Sequence, residues 1–203
     1  MNILFFDTET TGFYNFKLPP THEAQPRIVQ LAAHLCDDAQ RTIASFSFIL
    51  GGENDVIEIP DRVVAIHGIT TAHAVQFGMG ASAVLSSFFH LYERADLIVA
   101  HNISFDKPVI ESEAARCYGH EKPLSKPAFC TMKEATAIVN LPPTERMLAA
   151  GLNKPKVPKL EECYRHFFGE EMQGAHDAMV DVLACTRVFF HLRELTKEEQ
   201  AAA

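Results

Sequence analysis

Apolar positions change their period along the chain. Asn2–Asp7 is a short apolar run that closes on the turn signal Thr11-Gly12, the pattern of a buried strand. Two longer apolar runs, Arg27–Asp37 and Arg41–Leu50, flank Asp37-Asp38-Ala39-Gln40, whose composition predicts a hairpin turn. Three strands therefore open the chain. Tyr14–Pro26, between the first two, holds three prolines and no period, and reads as a surface loop. Helical spacing then takes over. Pro60–His67 predicts a short helix stopped by Gly68, and Ala81–Arg94 places Val84, Leu85, Phe88, Leu91 and Tyr92 on one face. Asp96–Ala100 predicts a fourth strand. Asp106–Tyr118 predicts a helix, with Pro108 in its first turn and Gly119 just past its end. Ala128–Thr131 predicts a fifth strand leading into a helix over Met132–Val139. Leu141–Pro158, with four prolines, reads mostly as loop, and Leu160–Phe168 and Ala178–Leu195 predict the last two helices.

Strands first, then strands alternating with helices, predict an α/β fold: one mixed five-stranded sheet with helices on both faces. A chain of 203 residues suits a single domain over residues 1–195, followed by a polar, alanine-rich tail over 196–203 expected to fray. Apolar residues at 47% and charged residues at 22% are ordinary for a soluble globular protein. The apolar runs are too short to span a bilayer, and Met1–Asp7 lacks a basic segment and a cleavage site, so a cytoplasmic protein without membrane attachment is expected. The five cysteines, Cys36, Cys117, Cys130, Cys163 and Cys185, show no metal-knuckle or redox spacing and read as reduced thiols. The face Val182, Cys185, Phe189 and Leu192 fits core packing better than a dimer interface. A net charge of −8 argues against broad electrostatic binding of a nucleic-acid duplex. It leaves room for a short phosphodiester held at one place by metal ions. Arg146, Lys154, Lys156 and Lys159 form a local basic stretch that suits either a solvated loop or a substrate contact.

The candidate chemistry lies in three segments that share four carboxylates and one histidine. Asp7 and Glu9 lie in Phe6-Asp7-Thr8-Glu9-Thr10-Thr11-Gly12. Strand alternation puts Ile3, Phe5, Asp7 and Glu9 on one face, with Thr8 pointing away. Asp106 ends Ala100-His101-Asn102-Ile103-Ser104-Phe105-Asp106 and has a structural alternative as a helix cap. His176 and Asp181 lie in Ala175-His176-Asp177-Ala178-Met179-Val180-Asp181. Five residues correspond to about 140° of helical rotation, too much to share a face. With His176 just before the helix and Asp181 in its second turn, both reach one site, and Asp177 is placed to cap. Clustered carboxylates repel one another, and a cation is the usual reason to assemble them. A histidine beside them is a proton acceptor near neutral pH. Metal-assisted hydrolysis with two divalent ions is the chemistry these residues suggest.

In order and placement the three motifs resemble those of the DEDD exonuclease superfamily, the proofreading-type 3′→5′ exonucleases with a ribonuclease H-like fold. The resemblance runs from Ile3 to about Leu195. It rests on Asp-x-Glu-Thr-Thr-Gly at Asp7–Gly12, His-Asn-x-x-Phe-Asp at His101–Asp106 and His-x-x-x-x-Asp at His176–Asp181. Ile66-His67-Gly68-Ile69-Thr70 and Cys130-Thr131-Met132 also look like family segments. One branch of the superfamily has tyrosine four residues before the last aspartate, where this chain has Asp177. The other has histidine five residues before it, which is His176, so the chain resembles the histidine branch.

The resemblance implies that Asp7, Glu9 and Asp181 hold one Mg²⁺ or Mn²⁺ ion, and that Asp7 and Asp106 hold the second. It implies that His176 takes the proton from the attacking water and that the product is a nucleoside 5′-monophosphate. Substrate contacts are then expected from Thr8, Thr10, Thr11, Gly12, Phe13, Ile66, His67 and Asn102. The implied partner is nucleic acid, single-stranded DNA 3′ ends first, in proofreading beside a DNA polymerase or in DNA repair. The alternatives are an exoribonuclease and a non-catalytic polymerase-docking adaptor on the same fold. The loop Tyr14–Pro26 is longer than the family's usual link, which bears on access to the cleft.

Overall fold

Residues Asn2–Thr10 form the central strand, β1, of a five-stranded sheet in a computed structural model that describes residues 1–202, without the side chains of Glu199 and Ala202. On one side β1 pairs antiparallel with β2 (Ile28–Asp37), which pairs antiparallel with β3 (Thr42–Ile49). On the other side it pairs parallel with β4 (Leu97–Ala100), and β4 with β5 (Ala128–Cys130), giving the order β3-β2-β1-β4-β5. Eight helices lie among the described residues: α1 (Asp61–His67), α2 (Thr71–Phe77), α3 (Ala81–Arg94), α4 (Ile103–Tyr118), α5 (Thr131–Val139), α6 (Glu145–Ala149), α7 (Leu160–Phe168) and α8 (Ala178–Ala202). Among the described residues no helix is long and apolar enough to cross a membrane.

The period-2 pattern of β1 divides the core in two. Leu4 and Phe6 point into one cluster, with α1, α3 and α4, where Phe6 meets Phe88 edge-on at 5.5 Å. Ile3 and Phe5 point into the other, with α5, α7 and α8, where Phe5 meets Phe189 edge-on at 5.2 Å. Val182, Cys185, Phe189 and Leu192 are all buried in this second cluster, so that face of α8 is core. All five cysteines are free thiols, and Cys36, Cys163 and Cys185 are buried.

Four differences from the sequence expectations have local causes. β1 runs on to Thr10, because Asp7, Thr8 and Glu9 keep pairing with β2 until a register shift between Glu9 and Thr10. Two short helices were not expected: α2 lies in a stretch left unassigned and α6 interrupts the Leu141–Pro158 loop, and each starts on a threonine hydroxyl, Thr70 accepting from His73 N–H and Thr144 from Met147 N–H. Helix α4 begins at Ile103, which places Asp106 inside its first turn rather than at its cap. Helix α8 does not end at Leu195 but continues to Ala202; Lys, Glu, Gln and Ala are good helix formers whatever their polarity.

The Tyr14–Pro26 loop is tied down. The buried Gln25 amide donates to the carbonyls of Asn15 and Leu18 and accepts from Asn15 N–H. Ser112 on α4 donates to the Pro20 carbonyl. Just after the loop, the Arg27 guanidinium bridges Asp55 and Glu113. Glu113, fully buried on α4, also accepts from Arg116 and from Ile28 N–H. Replacing Glu113 by Ala leaves Arg27 and Arg116 without their common partner. Both arginines keep some exposure and can rehydrate, so we expect a loss of about 1–3 kcal/mol rather than the larger penalty of a stranded buried charge. Urea unfolding of the variant measures it.

Candidate active site

The first two carboxylates follow the core directly. Asp7 and Glu9 continue the face of Ile3 and Phe5 and emerge beside the start of α8. Thr8 points to the opposite face, where it meets Asp106. Its main-chain N–H (3.1 Å) and its hydroxyl (2.8 Å) both donate to Asp106 Oδ1. Asp181 sits in the first turn of α8. Its Oδ2 accepts from His176 N–H at 3.3 Å, while its Oδ1 is buried with no hydrogen-bond partner. His176 lies two residues before the helix, exposed, with a left-handed φ of 69°. One ligand atom each from Glu9, His176 and Asp181 lie within 4.8 Å of one another. Glu9, Asp181 and His176 thus form one cluster, and Asp7 and Asp106 share its electrostatic field.

That field is strained. Burial raises the Asp7 carboxyl well above its usual range, and the neighbouring charges of Asp106, Asp181 and Glu9 raise it further. Burial, then Asp181 and Asp106, push Glu9 up to about 8. Burial lifts Asp106 to about 7 against the two Thr8 hydrogen bonds, and lifts Asp181 to about 6. Buried, mutually repelling carboxylates with one orphaned oxygen are a good fit for hard divalent cations, which take oxygen ligands and supply the missing positive charge. The donor set therefore suits Mg²⁺ or Mn²⁺.

Two clefts open on this cluster. One, of about 320 Å³, is lined by Thr8, Glu9, Thr10, Gly12, Phe13, Arg62, Val63, Ile66, His67, Phe105 and His176. The other, of about 450 Å³, takes in Asp7, His101, Asn102, Met132, the segment Val157–Glu161, Ala175 and Asp181. Phe13 and His176 line both, and Phe13, 91% exposed, stands as a ridge between them. Of the expected substrate residues, Thr8, Thr10, Gly12, Phe13, Ile66 and His67 meet in the first cleft and Asn102 lies in the second. Thr11 lines neither; its hydroxyl accepts from Arg27 N–H and its own N–H donates to the Arg27 carbonyl.

Sequence reasoning missed Arg62, which stands one helical turn before Ile66 and brings a cation to the first cleft. Projecting α1 back from Ile66 by four residues would have found it. It also missed the role of His101. Burial lowers that imidazole to about 4, so it is neutral. Its Nε2–H donates to the Pro158 carbonyl at 3.1 Å, leaving Nδ1 to accept from the Thr131 hydroxyl at 2.9 Å. His101 thus pins the proline-rich wall of the second cleft to the end of β4.

A mixed five-stranded sheet with two carboxylates at the end of its central strand and one more in the first turn of each of α4 and α8 is a ribonuclease H-like α/β arrangement, and a family model described as Exonuclease (RNase_T) matches residues 4–189. The chain belongs to that exonuclease family. No curated protein sequence matches it. Among solved structures it is similar to E. coli exonuclease I in complex with a dT13 oligonucleotide (23% identity, TM-score 0.70), covering 99% of this chain and 42% of that one. The complex of the same enzyme with a dA16 oligonucleotide matches equally, with 23% identity, a TM-score of 0.70 and 99% and 42% coverage. A product-bound structure of exonuclease I gives 22% identity and a TM-score of 0.69, over 99% of this chain and 44% of that one. The chain thus spans about two-fifths of the solved proteins it matches.

The raised carboxyls give a pH signature. The fold holds the Glu9 proton up to about 8, whereas the unfolded chain releases it near 4.5. Between those values the metal-free fold binds more protons than the unfolded chain, so this contribution to stability is present at low pH and is lost as pH rises. His34, His67 and His101, whose imidazoles burial lowers, act in the opposite sense. Comparison with Glu9→Gln cancels the histidine contributions. We expect the metal-free melting temperature of Glu9→Gln to exceed that of the wild type by a margin that widens from about pH 5 to about pH 8, each kcal/mol being worth about 2–4 °C at this size. Added Mn²⁺ should close or reverse the margin. Differential scanning fluorimetry with and without chelator is the measurement.

Proposed function

We propose that this domain, residues 1–195, is a cytoplasmic metal-dependent 3′→5′ exonuclease that releases nucleoside 5′-monophosphates from single-stranded DNA ends. The observation that carries this reading is the cluster of Glu9, His176 and Asp181 within 4.8 Å of one another where two clefts meet, with Asp7 lining the second cleft and the buried Asp106 behind them on Thr8. The likeness to structures of E. coli exonuclease I with dT13 and dA16 oligonucleotides supports single-stranded DNA as the polymer. Such an activity suits proofreading beside a DNA polymerase, or DNA repair.

Two divalent ions, Mg²⁺ or Mn²⁺, held by Asp7, Glu9, Asp106 and Asp181, would supply the positive charge that stabilises attacking and leaving oxygens in an in-line displacement. The rest falls to the chain's own side chains. His176, exposed and adjacent to Glu9 and Asp181, accepts the proton of the attacking water. Asp181 steadies it by accepting its main-chain N–H. Thr8 orients Asp106 through two hydrogen bonds to a single oxygen. The first cleft is of a size to take one terminal nucleotide, with the Phe13 ring as a stacking surface at its edge. Arg62 offers a charged fork to a phosphate or a base edge, and Asn102 faces the continuing strand from the second cleft.

Digestion of a 5′-labelled single-stranded oligonucleotide with Mg²⁺ or Mn²⁺ tests the proposal. A ladder shortened from the 3′ end, with 5′-mononucleotides as products, is expected. His176→Ala should slow turnover at least about 100-fold, and Asp7→Ala about 1000-fold or more. Digestion by either variant at the wild-type rate would sink the reading, and metal binding without digestion would favour a docking adaptor. Matched DNA and RNA strands compare the two polymers, and faster turnover of RNA would replace the substrate assignment. Arg62→Ala should raise KM about tenfold with little change in kcat, as loss of a charge-assisted contact made equally to substrate and transition state requires.

A further inference from the structure

Gln30 is a polar side chain in the middle of β2, 7% exposed, on the face that packs against α8. In the strand register it lies directly opposite Glu9. Its amide is fully engaged. Nε2 donates to Ser47 Oγ at 3.1 Å and to Asp177 Oδ2 at 3.3 Å, and Oε1 accepts from Ala178 N–H at 3.2 Å. Asp177 Oδ1 accepts from the main-chain N–H groups of Met179 and Val180, which makes Asp177 the cap of α8. One amide therefore grips both the capping carboxylate and the first N–H of the helix, and locks them to the strand opposite Glu9.

His176 precedes that cap by a single residue. Among the described residues no hydrogen bond reaches its imidazole, its φ is left-handed, and its main-chain N–H is held by Asp181 Oδ2. The remaining hydrogen bonds of the turn run between its own residues, Asp177 N–H to the Gly174 carbonyl and Asp181 N–H to the Asp177 carbonyl. The side-chain link from this turn to the sheet is Gln30. We infer that Gln30 is a positioning residue, which sets the reach of the His176 imidazole over Glu9 and Asp181 by clamping the start of α8 to β2. The inference rests on the reading of His176 as the proton acceptor. A base must come within hydrogen-bond reach of the proton it takes, and a displacement of about 1 Å can cost about 100-fold in rate. An amide suits the task because it donates to one partner and accepts from the other, and it adds no charge beside Glu9.

The test is a double-mutant cycle on single-stranded DNA with Mn²⁺. Gln30→Leu keeps the side-chain bulk in the sheet and removes all three hydrogen bonds. We expect kcat to fall about 10- to 100-fold, with KM and the calorimetric Mn²⁺ affinity within about threefold of wild type. In a His176→Ala background the same substitution should change kcat by less than about threefold, because the group it positions is gone. Gln30→Glu keeps the volume and the acceptor for Ala178 N–H but turns the donor into a carboxylate facing Asp177. It should show the same kcat loss, and it decides the matter if Gln30→Leu does not fold. Equal loss in both backgrounds, or a kcat that stays at the wild-type value while His176→Ala is inactive, overturns the clamp and leaves the nuclease reading standing. His176→Ala as active as wild type overturns both.

Discussion

Everything in this molecule is hung on the alternation of β1. Four consecutive residues, Ile3 to Phe6, supply buried side chains to two separate apolar clusters, one under α3 and α4, the other under α5, α7 and α8. A one-residue slip would exchange the two sets, and with Phe88 waiting on one side and Phe189 on the other, neither exchange packs. The same alternation, carried three residues further, decides where the chemistry goes. Asp7 and Glu9 must emerge toward α8, and Thr8 must emerge toward α4. The direction of these three side chains is thus inherited from the core.

The core also stabilises what the site destabilises. Asp7, Glu9, Asp106 and Asp181 all hold their protons more tightly than carboxyls usually do, and burial is the first cause in each case. Local groups oppose it: the two Thr8 donors and its own main-chain N–H for Asp106, and the His176 N–H and imidazole charge for Asp181. The two helices that bring these acids share a construction. Asn102 and His176, both with φ of 69°, lie one and two residues before α4 and α8, and Asp106 and Asp181 are each the fourth residue of their helix. A left-handed residue reverses the chain sharply enough for a first-turn acid to face back toward β1. The helix N-terminus also favours the charged acid. Strain of this kind is usual where a fold is arranged for chemistry rather than for stability.

How much of this was legible depended on the distance over which each residue is determined. The facing of Asp7 and Glu9 follows from period 2 alone, and the five strands follow from apolar runs bounded by turns. His176 and Asp181 were placed by the helix start between them. Asp106 was legible as an acid at a strand end, but the start of α4 was set three residues late, because Pro108 suggested a first turn and nothing local reveals that Asn102 adopts a left-handed conformation. Thr11 was expected at the substrate. The register shift between Glu9 and Thr10 turns it instead toward Arg27, and such a shift leaves no mark in a single sequence. Arg62 was within reach of helical periodicity, one turn before Ile66, whereas His101 and Gln30 act through partners far away in the chain. Gln30 reaches Ala178 across 148 positions, and Pro158 lies 57 positions from His101.

The long loop after Phe13 has a place in this scheme. It is not a slack insertion: Gln25 closes it from within, Ser112 holds its apex, and Arg27 anchors its exit to Glu113 and Asp55. Tyr14 and Phe16 meet edge-on at 5.0 Å just beyond the ridge. An aromatic ring that is 91% exposed gains little from burial, so its position must come from the backbone on either side. On the N-terminal side that backbone is β1, through the Thr10 hydroxyl bound to the Gly12 carbonyl; on the other it is the anchored loop. The main chain that carries Phe13 is therefore fixed on both sides, while its ring, standing in solvent, keeps its own torsional freedom. The fold sets where the two clefts meet and leaves the ring able to turn onto a base.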